Sequence, residues 1–340
     1  MQQVLHFIAK PLKPLSLTLL APVAVLLLLA GLWRSQAVQY IAAISGSGFA
    51  NHLPPVAETQ TENPAACLSQ PIKALTFNVR YGSDFIEQVR RRMGSHAPGD
   101  YLPWSERYPE IQRRIALYQP DIIGLQEMHT DADIANIVPP SEYSLSSYHL
   151  SNFQYGDAAL LFKTKRFNLL DSGQIWLGPN SNLPLSLGFE PFTMIRYINW
   201  ALLRDKDNGF TFLFVNTHFD NNKTNKEASA DLLRRRFAEM STTYPVIALG
   251  DFNSTAATER YQRLLGSGES GWINTHDLDS RLNPEETAHP NQLIDHILVG
   301  GPCAVEVRNW TVDKYRLANG ATLSDHFPVL ADIRFTGKKS

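Results

Sequence analysis

Six positions along the chain set a carboxylate, amide or imidazole at the end of an apolar run. Asn78 closes Ala74–Phe77, Glu127 follows Ile122-Ile123-Gly124-Leu125-Gln126, and His218 follows Phe212–Thr217. Asp251 and Asn253 follow Val246–Gly250, Asp295 and His296 divide Leu293-Ile294 from Ile297-Leu298-Val299, and Asp325 with His326 precedes Phe327-Pro328-Val329. A carboxylate beside a buried strand is costly unless it holds a metal, a proton or a partner. Each residue alone also has a structural reading: Asp251-Phe252-Asn253 as an Asx turn, His326 as a satisfied core imidazole. Six such positions, all at strand ends, are hard to produce by turn chemistry alone.

The residue types narrow the reaction. There is no Gly-x-Ser-x-Gly elbow, no Gly-x-x-x-x-Gly-Lys phosphate loop and no His-x-x-x-His zinc spacing. Oxygen ligands from Glu and Asp with a few Asn and His suit Mg2+ or Mn2+ better than zinc. Such an ion polarises a phosphoryl oxygen, a nearby carboxylate aligns a water, and a histidine paired with a second carboxylate stays charged at neutral pH. The set fits attack by water on a phosphoester.

The elements that must position these residues read as an α/β layered fold. Strands are expected at Ala74–Val79, Ile122–Gln126, Ala158–Phe162, Phe167–Ile175, Ile198–Arg204, Thr211–Asn216, Val246–Ala248, Leu293–Val299 and Val329–Phe335. Helices are expected at Ser105–Tyr118, Lys226–Met240 and Thr258–Leu265. In the first, Ile111, Ile115 and Tyr118 recur at helical spacing, and Pro120 stops it. Strand ends in layered α/β folds meet at one edge and form the usual site.

The motifs Phe77-Asn78-Val79-Arg80-Tyr81, Leu125-Gln126-Glu127, Asn216-Thr217-His218-Phe219-Asp220, Gly250-Asp251-Phe252-Asn253, Ile294-Asp295-His296-Ile297-Leu298 and Ser324-Asp325-His326-Phe327-Pro328-Val329 stand in an order that resembles the endonuclease/exonuclease/phosphatase superfamily. Trp104 with Arg107, and Leu170-Asp171-Ser172-Gly173, are similar to a bacterial branch of it. The resemblance implies a four-layer α/β/β/α sandwich: two mixed sheets face each other with helices outside. By the same resemblance Glu127 is the principal metal carboxylate with Asn78 beside it, and Asp325 is a further metal-side carboxylate. Asp251 aligns the attacking water, Asn253 and His218 hold the phosphate, and Asp295 orients His326 against it. Ser254-Thr255-Ala256-Ala257 departs from the apurinic nucleases, and Gln292-Leu293-Ile294-Asp295-His296 from the inositol polyphosphate 5-phosphatases.

Lower-ranked candidates surround this set. Arg90-Arg91-Arg92 reads either as a cradle for a remote phosphate or as a solvated helix face. Arg196 is a candidate phosphate contact, and Asp157 and Asp220 are candidates for supporting roles behind the site. The chain carries 31 Lys and Arg against 33 Asp and Glu, a net charge of −2. Without residues 1–63, which hold Lys10, Lys13, Arg34, Glu58 and Glu62, the balance is 28 to 31, or −3. General polyanion binding is therefore disfavoured. Nucleic acid, phospholipid and small phosphorylated molecules all stay open as substrates, and no segment points to a protein partner.

The N-terminus is a different material. Leu15 to Trp33 holds no charge, enough to span a bilayer at about 20 residues. The chain divides into a cytoplasmic tail at 1–14, a transmembrane anchor or cleaved signal at 15–34, a linker at 35–70 and the enzyme domain at 71–340. Lys10 and Lys13 against Arg34 alone keep the N-terminus inside, so the domain is exported, to the periplasm in a double-membrane bacterium. Cys67 and Cys303 are then either one disulfide or two unpaired thiols.

Overall fold

The run Ile72–Gly82 forms strand β1, and its length of 11 residues carries the chain from one edge of a sheet to the other. A computed structural model of the chain describes residues 67–82, 102–146, 157–182, 188–190, 195–267, 271–279, 286–288 and 291–338. The expected tail at 1–14, the membrane segment at 15–34, the linker through residue 66 and Arg90-Arg91-Arg92 lie outside the described residues. Among the described residues no helix is long and apolar enough to cross a membrane.

In chain order β1 is followed by α1 (Trp104–Tyr118), β2 (Ile122–Met128), α2 (Asp131–Ile137), β3 (Tyr143–Leu145), β4 (Ala159–Lys163), β5 (Phe167–Trp176) and β6 (Tyr197–Asp205). Then come β7 (Thr211–His218), α3 (Lys223–Phe237), α4 (Met240–Thr243), β8 (Val246–Asp251), α5 (Glu259–Leu265) and β9 (Ile273–Asn274). The chain closes with α6 (Thr275–Leu278), β10 (Asp295–Gly300), β11 (Cys303–Val312) and β12 (Val329–Lys338).

The strands form two mixed sheets of six, ordered β11-β12-β1-β2-β4-β3 and β5-β6-β7-β8-β10-β9. Each has one parallel pair at its centre, β1/β2 and β7/β8, flanked by antiparallel strands. Parallel neighbours need a long crossover, and here α1 and α3, 15 residues each, lie within those connections. A consequence follows for the site. The C-terminal ends of a parallel pair and the N-terminal ends of its antiparallel neighbours fall on the same edge.

Period-two alternation separates the two faces of each strand. Ala74, Ile122, Leu160 and Phe162 of the first sheet meet Leu203, Phe212, Phe214, Ile247 and Leu249 of the second in one core. The opposite faces take helices: Leu75, Phe77 and Ile123 pack with Ile111 and Ile115 of α1, while Trp200, Leu213 and Val215 pack with Leu233 and Phe237 of α3. Helix, sheet, sheet and helix are thus separated by three apolar contact layers. Near the site the inner layer turns polar: Gln126 Nε2 donates to Asn216 Oδ1 at 2.8 Å, and Asn216 Nδ2 to the carbonyls of Ala159 and Leu125. A Cβ on Gly124 would lie 2.0 Å from Leu249 Cδ1, so this glycine permits the close approach of the sheets.

Several boundaries differ from the sequence expectation. The expected helix at Lys226–Met240 starts three residues earlier, because Asn222 accepts from Asn225 N and caps α3. β10 begins at Asp295, leaving Leu293 and Ile294 before it. The edge strand β11 was not anticipated; its alternation is masked by the outward charges Glu306 and Arg308 and by a bulge containing Asn309 at φ 52°. Helix α2 also escaped, although Thr130 and Asp133 form a capping box. Cys67 and Cys303 form a disulfide across a separation of 236 residues, the first of the two alternatives.

Candidate active site

The edge defined by the two parallel pairs collects the predicted residues. Asn78 near the end of β1 and Glu127 of β2 come from the first sheet, His218 and Asp251 from the ends of β7 and β8. Register places His218 opposite Asp251, and Asp251 opposite Asp295, the first residue of β10. His326 approaches from just before β12, and Asp157 from just before β4.

Asp251 is the hub. Its Oδ1 accepts from Asn253 N at 2.9 Å, which is the Asx turn of the structural reading. Its Oδ2 serves the other reading: it accepts from Asn78 Nδ2 at 3.1 Å and lies 3.3 Å from His218 Nε2 and 3.7 Å from His326 Nε2. Behind each imidazole stands a second buried carboxylate. His218 Nδ1–H donates to Asp157 Oδ1 at 2.7 Å, and His326 Nδ1–H to Asp295 Oδ2 at 2.8 Å. Two Asp–His pairs therefore aim their outer nitrogens at one carboxylate oxygen.

These contacts set the charges. Burial and the neighbouring Arg196 would lower His218, but Asp157 and Asp251 overcome them and push it up to about 9. Burial likewise opposes His326, and Asp295 with Asp251 raises it to about 10. Both imidazoles are cations at neutral pH. Burial would raise Asp251, yet the two imidazoliums hold it well below the usual carboxylate range. Burial and the Asp251 charge push Asp295 up to about 6, with His326 pulling the other way. Asp295 Oδ1 is buried and has no hydrogen-bond partner, which leaves its charge to His326. Asp157 stays ionised because Arg196 and His218 outweigh its burial.

Backbone strain gathers at the same edge. Glu127 and Asn253 take φ of 60° and 48°, and Arg80 and Tyr81 take 49° and 52°. Non-glycine residues in this region are uncommon and cluster at functional sites. Gly250, at φ 147°, cannot be replaced: its Cβ would fall 2.0 Å from the Thr217 carbonyl oxygen of the neighbouring strand.

Glu127 meets a different environment. Its Oε1 accepts from Asn78 Nδ2 at 3.2 Å and its Oε2 from Tyr81 N at 3.3 Å, both neutral donors. No cationic side chain among the described residues pairs with it, whereas the Asp251–Asp295–His326 group is already balanced by imidazolium charge. That last group is the one whose ligand atoms lie within 4.8 Å of one another, but a protonated histidine is no metal ligand. The partly exposed Glu127 carboxylate is where an oxygen donor fits a hard divalent cation. Asn78, expected beside it as a ligand, instead turns Nδ2 to Glu127 and Asp251 and accepts from Arg80 N at Oδ1.

The remaining candidates separate. Asp325 is partly exposed, its side chain at 39%, and it pairs with Arg80 at 2.9 Å. Asn253 gives its Nδ2 to the Phe219 carbonyl at 2.8 Å. Arg196 is buried and bound to Asp157, with Nη1 3.0 Å from His218 Nδ1, so it stands behind the histidine instead of on the rim. Asp220 turns away to the start of α3, where it accepts from Asn225 Nδ2 at 2.7 Å. Sequence reasoning missed Ser324, whose hydroxyl donates to the Asn78 carbonyl at 2.7 Å, and Thr287, whose hydroxyl accepts from Asp295 N at 3.0 Å. Ser324 lay inside a quoted motif; Thr287 carried no local signal.

Known proteins share this arrangement of elements. The crystal structure of an endonuclease/exonuclease/phosphatase from Bacteroides vulgatus is 25% identical, with a TM-score of 0.65 over 79% of this chain and 100% of that one. A mannosyl-6-phosphatase from Bacteroides thetaiotaomicron is 26% identical, with a TM-score of 0.63 over 78% of this chain and all of that one. The carbon catabolite repressor protein 4 homolog 3 of Arabidopsis thaliana is 22% identical over 287 residues, 78% of this chain, and the match spans 58% of its own length. The model of the Endonuclease/Exonuclease/phosphatase family matches residues 75–326, from Leu75 within β1 to His326. Because that match spans most of the chain, and the strand order and facing sheets agree with the solved structures it resembles, the chain belongs to the endonuclease/exonuclease/phosphatase family.

Proposed function

We propose that this chain is a divalent-metal-dependent hydrolase of phosphoesters, acting on a small phosphorylated molecule. The observation that carries the reading is the convergence of two Asp–His pairs on Asp251 Oδ2, beside the Glu127 carboxylate, which pairs with no cationic side chain among the described residues. A phosphoryl group entering between His218 and His326 meets two N–H donors held charged and dry, the arrangement that stabilises developing negative charge. Asp251, ionised and fixed by Asn78 and Asn253, accepts a hydrogen bond from water and aligns it for attack at phosphorus. Asp157 and Asp295 keep the donors charged and fix their orientation. Glu127 would hold Mg2+ or Mn2+, which when bound supplies charge neutralisation at the phosphoryl oxygens, and Asn78 bridges Glu127 and Asp251 through Nδ2.

Two features favour a small substrate over nucleic acid. The globular part is net acidic, and the two arginines described at this edge are committed, Arg80 to Asp325 and Arg196 to Asp157. The relative from Bacteroides thetaiotaomicron is by name a sugar phosphatase. Export behind an N-terminal anchor completes the reading. The uncharged stretch from Leu15 to Trp33 and the Cys67–Cys303 disulfide support it, since disulfides persist in oxidising compartments.

The test presents the purified full-length chain with nitrophenyl phosphate, bis-nitrophenyl phosphate and supercoiled plasmid, in Mg2+ and in EDTA. Release from the monoester that EDTA abolishes is the expected result. Metal-dependent nicking of the plasmid replaces the small substrate with nucleic acid. Failure with all three, in Mg2+ and Mn2+ alike, makes the chain a silent binding module and ends the reading.

A further inference from the structure

Arg107 has no exposed surface at all, although arginine is among the residues least often buried. It lies in the first turn of α1, over the Trp104 ring, and its guanidinium is spent on main chain. Nη1 donates to the carbonyls of Val79 at 2.7 Å and Leu323 at 2.6 Å, Nη2 to Arg80 at 2.8 Å, and Nε to Leu102 at 2.6 Å.

The carbonyl partners are the informative part. Pairing of β1 with β2 is broken between Asn78 and Gly82, and with β12 it ends at Thr76. Val79 and Arg80 therefore leave the ladder just after Asn78, in the segment where Arg80 and Tyr81 take left-handed φ. Buried carbonyls outside a ladder need another donor. That same turn sends Arg80 N to Asn78 Oδ1 at 3.0 Å and Tyr81 N to Glu127 Oε2 at 3.3 Å. Leu323, the other partner, opens the segment Ser324-Asp325-His326, which returns to β1 through Ser324 Oγ on the Asn78 carbonyl.

We propose that Arg107 is a positioning residue of the active edge: its guanidinium clamps the Val79–Arg80 turn to Leu323 and thereby sets Asn78 and Glu127 relative to His326. A planar fork of five donors can reach several carbonyls at once, whereas a lysine ammonium offers one point of attachment. The proposal rests on the reading of this edge as a phosphoesterase site. Activity of the unaltered chain tests that reading, and only the variants test Arg107.

The experiment is Arg107→Lys in the full chain, assayed with the monoester and followed by amide hydrogen exchange. Misplacement of reacting groups by about 1 Å costs on the order of 100-fold in rate. The expected result is a kcat lowered by about 100-fold with KM within twofold, and faster exchange confined to the segments around 79–82 and 323–327. Exchange in β7 and β8 of the other sheet should not change. Arg107→Gln, which keeps two donors without a buried charge, carries the same expectation with a kcat loss of about tenfold. A folded variant with kcat within threefold of the unaltered chain overturns the proposal, and so does exchange raised evenly throughout. Loss of folding in both variants makes Arg107 a residue of global stability and overturns it as well.

Discussion

At the scale of single residues, the site works by shared charge. Asp251 stays anionic although buried, because His218 and His326 are cations, and they are cations because Asp157 and Asp295 stand behind them. The family resemblance implied that the histidines contact the phosphate; in the proposed reading their protonation is what would make them donors to it. Asp251→Asn keeps the shape and removes the charge that both histidines face. Its expected effect is a kcat lowered by about 10³-fold, within the range for loss of a preorganised polar group. Removing a neighbouring negative charge lowers a histidine pKa, so both imidazoles should titrate below their present values of about 9 and about 10. Histidine side-chain NMR across pH measures this, and unchanged titrations would remove Asp251 from its place as hub.

At the scale of elements, the segment after β8 is held by a second, neutral histidine. His296 of β10 donates from Nε2 to the Ser254 carbonyl at 2.7 Å, and its Nδ1 accepts from Asn274 Nδ2 of β9 at 2.9 Å. Asn274 also donates to the Tyr261 hydroxyl of α5. One buried network thus ties β9, β10 and α5 to the chain that leaves Asp251. Burial lowers His296 to about 4, so it folds uncharged. An unfolded histidine takes its proton near 6.5, and stability linked to His296 is therefore present above that pH. It is lost as pH falls from about 6.5 to about 4, by up to about 3 kcal/mol. Urea unfolding at pH 7 and pH 4.5 checks this as a difference. The unaltered chain should lose more stability between the two pH values than His296→Gln; equal losses would show that His296 is not buried as the neutral form.

At the scale of the whole molecule, the disulfide and the active edge lie at opposite ends of the strands. Cys303 opens β11 opposite Lys338 at the end of β12, while His326 stands before the start of β12. Closing a loop across 236 residues stabilises by roughly 2–5 kcal/mol in the chain-entropy account. Cys303→Ser should lower the urea midpoint accordingly and leave kcat and KM as they were. In the exported reading both thiols are already oxidised in the cell, so alkylation before reduction should modify neither. Two reactive thiols in the freshly isolated chain would overturn export.

The placement of the candidate residues was legible in the sequence because strand ends are local features. Asn78, Glu127, His218, Asp251, Asp295 and His326 each close or open an apolar run, and an α/β fold with central parallel pairs must bring such ends to one edge. Helical spacing in α1 and the order of six motifs were likewise visible without coordinates. Three-dimensional packing decided the rest. Asp157 and His218 are 61 residues apart, and Asp295 and His326 are 31 apart; register and sheet-to-sheet distance alone make them pairs. The same packing drew Arg196 inward and sent Asp220 to a helix start. It also joined Cys67 to Cys303 and gave Arg107 its four carbonyls. Residue type and periodicity report which groups reach an edge, because they depend on neighbours along the chain. Which groups then share a proton, a charge or a bond depends on distances across the fold, and those are set only when the two sheets close on each other.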